Sequence, residues 1–265
     1  RRVVLLAEVR ERAERRDLAL HREDAVGDEE AAALTVPDIE NHPTFHEIVR
    51  QLEACRRLTG QARGFLNWQG VLNNAHRLRG ESLFMDMLGE PPKARHLFAC
   101  VCETMIQGLR RLHEHQRASG VDVRFVTVSN CLGNMISPMT YRDLLLPFDR
   151  KLAAVYGAIG IHNCAWNATP YLEANAAVPG VRYIDMGIQS DLALAKALFP
   201  NARRAVMFTP MGAANKPLAE IEADFRRIAA EYAPCDIVVA DIEAGTPDSR
   251  IMELVGLCGR LSEHT

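Results

Sequence analysis

The chain has 265 residues, 48% of them hydrophobic and 25% charged, and a formal net charge of -3. This is ordinary globular composition, long enough for one large domain. The small negative charge argues against nucleic acid or an anionic membrane as the main partner, and no run of about eighteen apolar residues suggests a spanning helix. Seven cysteines, an odd number in a chain with ample core, predict reduced and mostly buried thiols and a cytoplasmic setting. The opening residues carry no signal-peptide pattern.

In chain order, Val3–Glu8 predicts a strand, the charged stretch Glu11–Asp24 a solvated helix or arm, and residues 25–37 a loop or short helix. Pro43 opens a helix to about Leu58, with Phe45, Ile48, Leu52 and Cys55 on one stripe and Gly60 to end it. Arg63–Trp68 predicts a short strand and Val71–Leu88 a helix interrupted at Gly80, with Met85 and Met87 read as core. A long helix, Pro92–Ser119, carries Leu97, Val101, Met105, Leu109 and Leu112 on its apolar face. Strand Val121–Val128 leads into a polar loop over 129–138 and a helix over Tyr141–Tyr156, kinked at Pro147. Strands then follow at Ala158–Cys164, Val181–Asp185, Arg204–Phe208 and Cys235–Ile242. They alternate with helices at Thr169–Ala176, Asp191–Leu198 (capped by Ser190), Lys216–Tyr232 and Pro247–Leu261 (capped by Thr246).

Apolar strands flanked by helices predict an α/β protein with a parallel sheet covered by helices. Two layouts fit: a (β/α)8 TIM-type barrel, complete or eroded at its N-terminus, and a doubly wound sheet. No glycine-rich dinucleotide fingerprint follows any strand. Polar residues recur just after strand ends, at Asn67, Asn130–Asn134, His162–Trp166, Asp185–Gln189, Thr209–Met211 and Asp241–Glu243. Active-site rims of barrels lie there, so the pattern favours the barrel and an enzyme.

The focal stretch is Ala158–Trp166. Side chains alternate along a strand, so His162 and Cys164 share a face and can chelate one ion. Cys131 lies on the same rim, and Asp241 and Glu243 sit two apart beyond the last strand. A Cys/His/carboxylate set with one open position is a catalytic zinc arrangement. The plainer alternative makes the thiols small buried groups, leaves His162 bonded to a backbone carbonyl, and uses the two carboxylates for a positive substrate or a helix cap. Asn67, Asn130, Asn134, Asn163 and Asn167 crowd these loops and offer donors and acceptors to a neutral ligand, with Trp68, Trp166, Met135 and Met211 as apolar walls. Turn formation explains some of the asparagines.

Ile136-Ser137-Pro138, Leu146-Pro147-Phe148, His162-Asn163-Cys164 and Ala240-Asp241-Ile242-Glu243-Ala244-Gly245-Thr246-Pro247 follow one another along the chain. With this order it resembles the family of uroporphyrinogen decarboxylase and the zinc-dependent corrinoid methyltransferases, from about Pro37 onward. The resemblance implies a (β/α)8 barrel over 37–265, with 1–36 an N-terminal helical arm or the remnant of a first βα unit. The decarboxylases need no metal. Their tyrosine position is Phe148 here, their late histidine position is Ala240, and their N-terminal arginine block is missing. The methyltransferases hold zinc through His-x-Cys and a late cysteine; His162 and Cys164 match the first two, while Ala240 stands at the third. Cys131, Asp241 or Glu243 would replace it.

The function implied is metal-dependent methyl transfer between a corrinoid carried by a partner protein and a small acceptor such as a thiol. His162, Cys164 and Asp241 are the catalytic candidates, and Cys131 and Glu243 the further ligands. Asn67, Trp68, Asn130, Asn134, Trp166 and Met211 are the substrate-binding candidates. A decarboxylase or other lyase using Asp241 or Glu243 as acid and base is the alternative, followed by a non-catalytic ligand-binding barrel. The sequence leaves the oligomeric state open, a homodimer included.

Overall fold

The computed structural model describes residues 25–64 and 69–262. The strand expected at Val3–Glu8, the helix or arm over Glu11–Asp24, and Asn67 and Trp68 lie outside them. The elements are α1 (Asp28–Ala32), α2 (Pro43–Thr59), α3 (Val71–Arg79), α4 (Ser82–Gly89), α5 (Pro91–Ala118), β1 (Val126–Ser129), α6 (Pro138–Thr140), α7 (Leu146–Tyr156), β2 (Ile159–His162), α8 (Leu172–Ala176), β3 (Val181–Gly187), α9 (Leu192–Leu198), β4 (Arg203–Phe208), α10 (Pro210–Asn215), α11 (Leu218–Tyr232), β5 (Asp236–Val239) and α12 (Asp248–Ser262). None of the described helices is long and apolar enough to cross a membrane.

The five strands form one parallel sheet in the order β1-β2-β3-β4-β5. A doubly wound sheet needs a reversal of strand order, and the five described strands show none. When order follows sequence, the usual right-handed crossovers put the connecting helices on one side. The register assigns Val126, Val128, Ile159, Ile161, Ile184, Met186, Val206 and Phe208 to that side. All are buried, and each side chain contributes roughly 1.5–3 kcal/mol. The opposite face carries Thr127, Gly160, His162, Tyr183, Asp185, Ala205 and Met207. Gly160 leaves room there for its neighbours on β1, since a Cβ would lie 2.8 Å from both the Phe125 ring and Thr127 Oγ1 and would push both side chains aside. Beyond β1 the sheet is extended by a single parallel bridge, Gln69 to Ser129, at the end of the strand expected over Arg63–Trp68.

The N-terminal helices follow their sequence signals. Pro43 stands in the first turn of α2, His42 caps it, and Gly60 ends it at φ +80°. Gly80, at φ +63°, splits the stretch 71–88 into α3 and α4. All five residues of the apolar stripe expected on α5 are buried. Met87 is core, but Met85 points into solvent. Residues 25–32 are tied to the body: Val26 N–H donates to the Leu78 carbonyl (2.8 Å), and Asp28 pairs with Lys93 (2.6 Å) and with Arg79.

The helix expected over Tyr141–Tyr156 contains a π-helical segment, Tyr141–Leu145, before α7. Pro147 lacks the N–H that an α-helix would return to residue 143, and the wider turn before it takes up the mismatch. Tyr141 thereby donates to the Asp149 carboxylate (2.6 Å), which also accepts from Asn130 (3.3 Å), just before Cys131. Burial pushes the Asp149 carboxyl up to about 6, against the two hydrogen bonds that hold it down. A raised folded value means that its contribution to stability is present below the unfolded value and is lost as pH rises through 6. For this one group the loss is about 2 kcal/mol between about pH 4 and pH 7. Denaturation at both pH values is expected to show it, and Asp149→Asn to remove it; equal pH dependence in variant and wild type would refute it.

Candidate metal centre

β1 and β2 end at the same height, with Ser129 beside His162. Asn130 N–H donates to the His162 carbonyl (2.8 Å) and extends the ladder by one bond. Cys131 then opens a 3-10 turn, Cys131–Met135, held by Leu132 N–H to Asn73 Oδ1 (3.1 Å). Gly70 allows this close passage; a Cβ there would lie 2.3 Å from Asn130 Oδ1.

The strand expected through Cys164 stops at His162. The reason is Asp185 on β3. Its Oδ1 accepts the Asn163 N–H (2.8 Å), and its backbone carbonyl accepts the Asn163 side-chain amide (3.0 Å). The chain leaves the ladder, and Cys164 adopts φ +56°, a left-handed conformation rare outside glycine. His162 and Cys164 therefore meet because the chain turns back, not because strand side chains alternate. Gly187 at the end of β3 receives the turn: its N–H donates to the Trp166 carbonyl (2.9 Å), and a Cβ would collide with the Ala165 carbonyl.

Three donors converge there. Cys131 Sγ and Cys164 Sγ are 2.8 Å apart, Cys164 Sγ is 3.0 Å from His162 Nε2, and all three lie within 4.8 Å of one another. His162 Nδ1 is engaged by Asp185 Oδ2 at 2.6 Å, so Nε2 faces the sulfurs. Two sulfurs and an imidazole nitrogen suit a soft divalent ion such as zinc. Two Zn–S bonds of about 2.3 Å at a tetrahedral angle would set the sulfurs about 3.8 Å apart. Seating zinc therefore requires the thiols to part by about 1 Å, within reach of a rotamer adjustment at two half-buried side chains.

Without metal the protons are unevenly shared. The hydrogen bond from Cys164 lowers the Cys131 thiol to about 5, against burial and with help from His162. The same bond raises Cys164, with burial adding to it and the charges of Cys131, Asp185 and Asp241 acting the same way. Burial opposes the charged imidazole of His162, but Asp185 and Cys131 outweigh it and raise the group to about 10. These shifts favour negative charge on Cys131 and positive charge on His162, with the proton of the sulfur pair on Cys164.

The other candidates fall around this triangle. Asp241 and Glu243 are exposed beyond β5 and outside the donor group; Asp241 is near enough for its charge to bear on Cys164 and has a left-handed φ of +53°. Ala240 directly follows β5. Asn130 and Asn163 are buried and engaged internally, by Asp149 and Asp185. Asn167 accepts from Thr169 N–H in a turn, while Asn134 is exposed. Trp166 is half-buried against Gly133 and packs edge-on to Tyr171 (5.2 Å). Met211, Met135 and Met139 are exposed after strand ends.

Three residues around the donors were not among the site candidates: Asp185, which had been named only as part of a rim cluster, Tyr183, which reaches Asp185, and Asn73, which reaches Cys131. Asp185 had a signal, because a carboxylate between Ile184 and Met186 in an apolar strand must be paired once buried. Nothing in the sequence distinguishes Asn73 from any helical amide.

No family model and no curated protein matches the chain. Among solved structures it is similar to a methyltransferase from Methanosarcina mazei, with a TM-score of 0.64 and 15% identity over 86% of this chain and 68% of that one. At that identity the likeness concerns the fold.

Proposed function

We propose that this chain is a zinc-dependent methyltransferase that works with a corrinoid-carrying partner protein and a small acceptor such as a thiol. Its sheet would be five strands of a (β/α)8-type barrel with the donors on the C-terminal rim, where such barrels keep their chemistry. The observation that carries the reading is the convergence of Cys131, His162 and Cys164 at the ends of two paired strands. The likeness of fold to a methyltransferase supports it. Cys131 takes the third-ligand role that the family resemblance assigns to position 240.

Three protein donors leave a fourth position for the acceptor. Zinc bound there would supply Lewis acidity, lowering the pKa of an acceptor thiol. The residues of the chain do the rest. His162 gives up its Nε2 proton and keeps Nδ1 on Asp185; Cys164 gives up its thiol proton. Asp241, on the rim beyond β5, takes the proton that leaves the acceptor. Trp166, half-buried on the turn that follows Cys164, would give the acceptor an apolar wall, while Met135, Met211 and Asn134 stand exposed and free to meet an incoming partner or substrate.

The test is metal analysis of wild type and of a His162→Ala/Cys164→Ala variant, together with methyl transfer from methylcobalamin to a panel of thiols. Near one equivalent of zinc with transfer is expected in wild type, and neither in the variant. Transfer undiminished after complete chelation would refute the reading.

A further inference from the structure

We infer that Asp185 is the positioning residue of this site: one buried carboxylate sets both the direction of the His162 ring and the turn that returns Cys164 to it. The inference rests on the metal-binding reading above. Asp185 is 1% exposed and sits on the inner face of β3, directly beside His162. A carboxylate buried that deeply is costly unless fully hydrogen-bonded, and it is. Oδ2 accepts from His162 Nδ1 (2.6 Å) and from the Tyr183 hydroxyl (2.9 Å), and Oδ1 accepts from Asn163 N–H (2.8 Å).

Two of these bonds, those from His162 and from Asn163, come from consecutive residues of the His162-Asn163-Cys164 run. The first fixes the ring so that Nε2 points at the sulfurs. The second takes the peptide of Asn163 off the ladder with β3, and Cys164 then turns back at φ +56°. A carboxylate behind a ligating histidine also strengthens the nitrogen that faces the metal. Tyr183 shares Oδ2 with His162, so its hydroxyl draws on the lone pairs that the ring uses. Asp185 and Tyr183 are two apart on one strand, which puts both on the same face. Asp185 touches no open position and acts only through His162 and Cys164.

The test measures zinc affinity by chelator competition, and the visible spectrum of the cobalt(II)-substituted protein, for wild type, Asp185→Asn and Tyr183→Phe. Asp185→Asn is expected to weaken zinc binding by about 10–100-fold and to change the cobalt bands, because the amide presents a weaker acceptor, or a donor, to Nδ1. Tyr183→Phe leaves all of Oδ2 to His162 and is expected to tighten binding about threefold. It also keeps the question answerable if Asp185→Asn does not fold. A purely structural role would lower the melting temperature of the variants while leaving affinity and spectrum per folded molecule unchanged. Variants of wild-type affinity and spectrum, in a wild type that binds zinc, would overturn this inference alone. A wild type that binds no metal would overturn both it and the proposed function.

Discussion

Cys131→Ala is expected to reduce zinc from near one equivalent to less than a tenth after dialysis against a weak chelator, with methyl transfer falling in step. The site has three protein donors, and Cys131 is the only one from β1. It is also the donor whose thiol ionises most readily, lowered to about 5 by the bond from Cys164 and by His162. Structural zinc sites with four ligands develop about 10–16 kcal/mol of apparent binding free energy, so losing one of the three donors, a thiolate, corresponds to on the order of a thousandfold in affinity. The comparison that decides the third ligand is Glu243→Ala, which is expected to keep its metal. The reverse result, metal retained in Cys131→Ala and lost in Glu243→Ala, would move the centre toward β5.

Acid is expected to weaken zinc binding steeply. In the metal-free site His162, raised to about 10, and Cys164, raised above an ordinary thiol, both hold protons at neutral pH, while Cys131 does not. Seating the ion expels both protons, so apparent affinity rises with pH, by about 100-fold per unit between about pH 6 and 8. The slope should steepen only below about 5, where Cys131 takes up its own proton. An imidazole at its ordinary value of about 6.5 alongside two ordinary thiols would already steepen the slope toward three protons near pH 6. Chelator competition across this range, with thiolate absorbance of the metal-free protein followed beside it, separates the two. A slope near three at pH 6, or no thiolate signal until pH 8, would refute the proton arrangement.

Much of this site was visible in the residues alone. His162 and Cys164 stand two apart after an apolar strand, and Cys131 follows a neighbouring strand, so their meeting at one rim was legible. The way they meet was not. Asn163 and Cys164 look like a continuation of the strand, and only the Asp185 carboxylate, 22 residues after Asn163, draws the chain off the ladder. Long-range hydrogen bonds of this kind leave no local pattern. At Ser190 two capable caps stand side by side. Asp191 caps α9, because Ser190 Oγ is committed to Ala168 N–H (3.0 Å) across the turn. α10 was readable as Thr209 followed by Pro210, a cap and a first-turn proline, but its glycine and alanines carry no apolar stripe. The rim asparagines mark the opposite limit: composition suggests ligand recognition, yet Asn130 and Asn163 spend their amides on Asp149 and Asp185.

The strand order has one more consequence. All three donors belong to a single β-helix-β unit, and the carboxylate behind the histidine comes from the very next strand. Among the described residues, none beyond β3 joins the donor group. The donors and the carboxylate behind the histidine thus all lie within residues 131–187, and Ala240, directly after β5, brings no donor atom to the group. The centre also assembles locally, since pairing β1 with β2 and β3 is enough to bring every donor into place. Changes to the rim beyond residue 187 would leave every donor of the triangle where it stands.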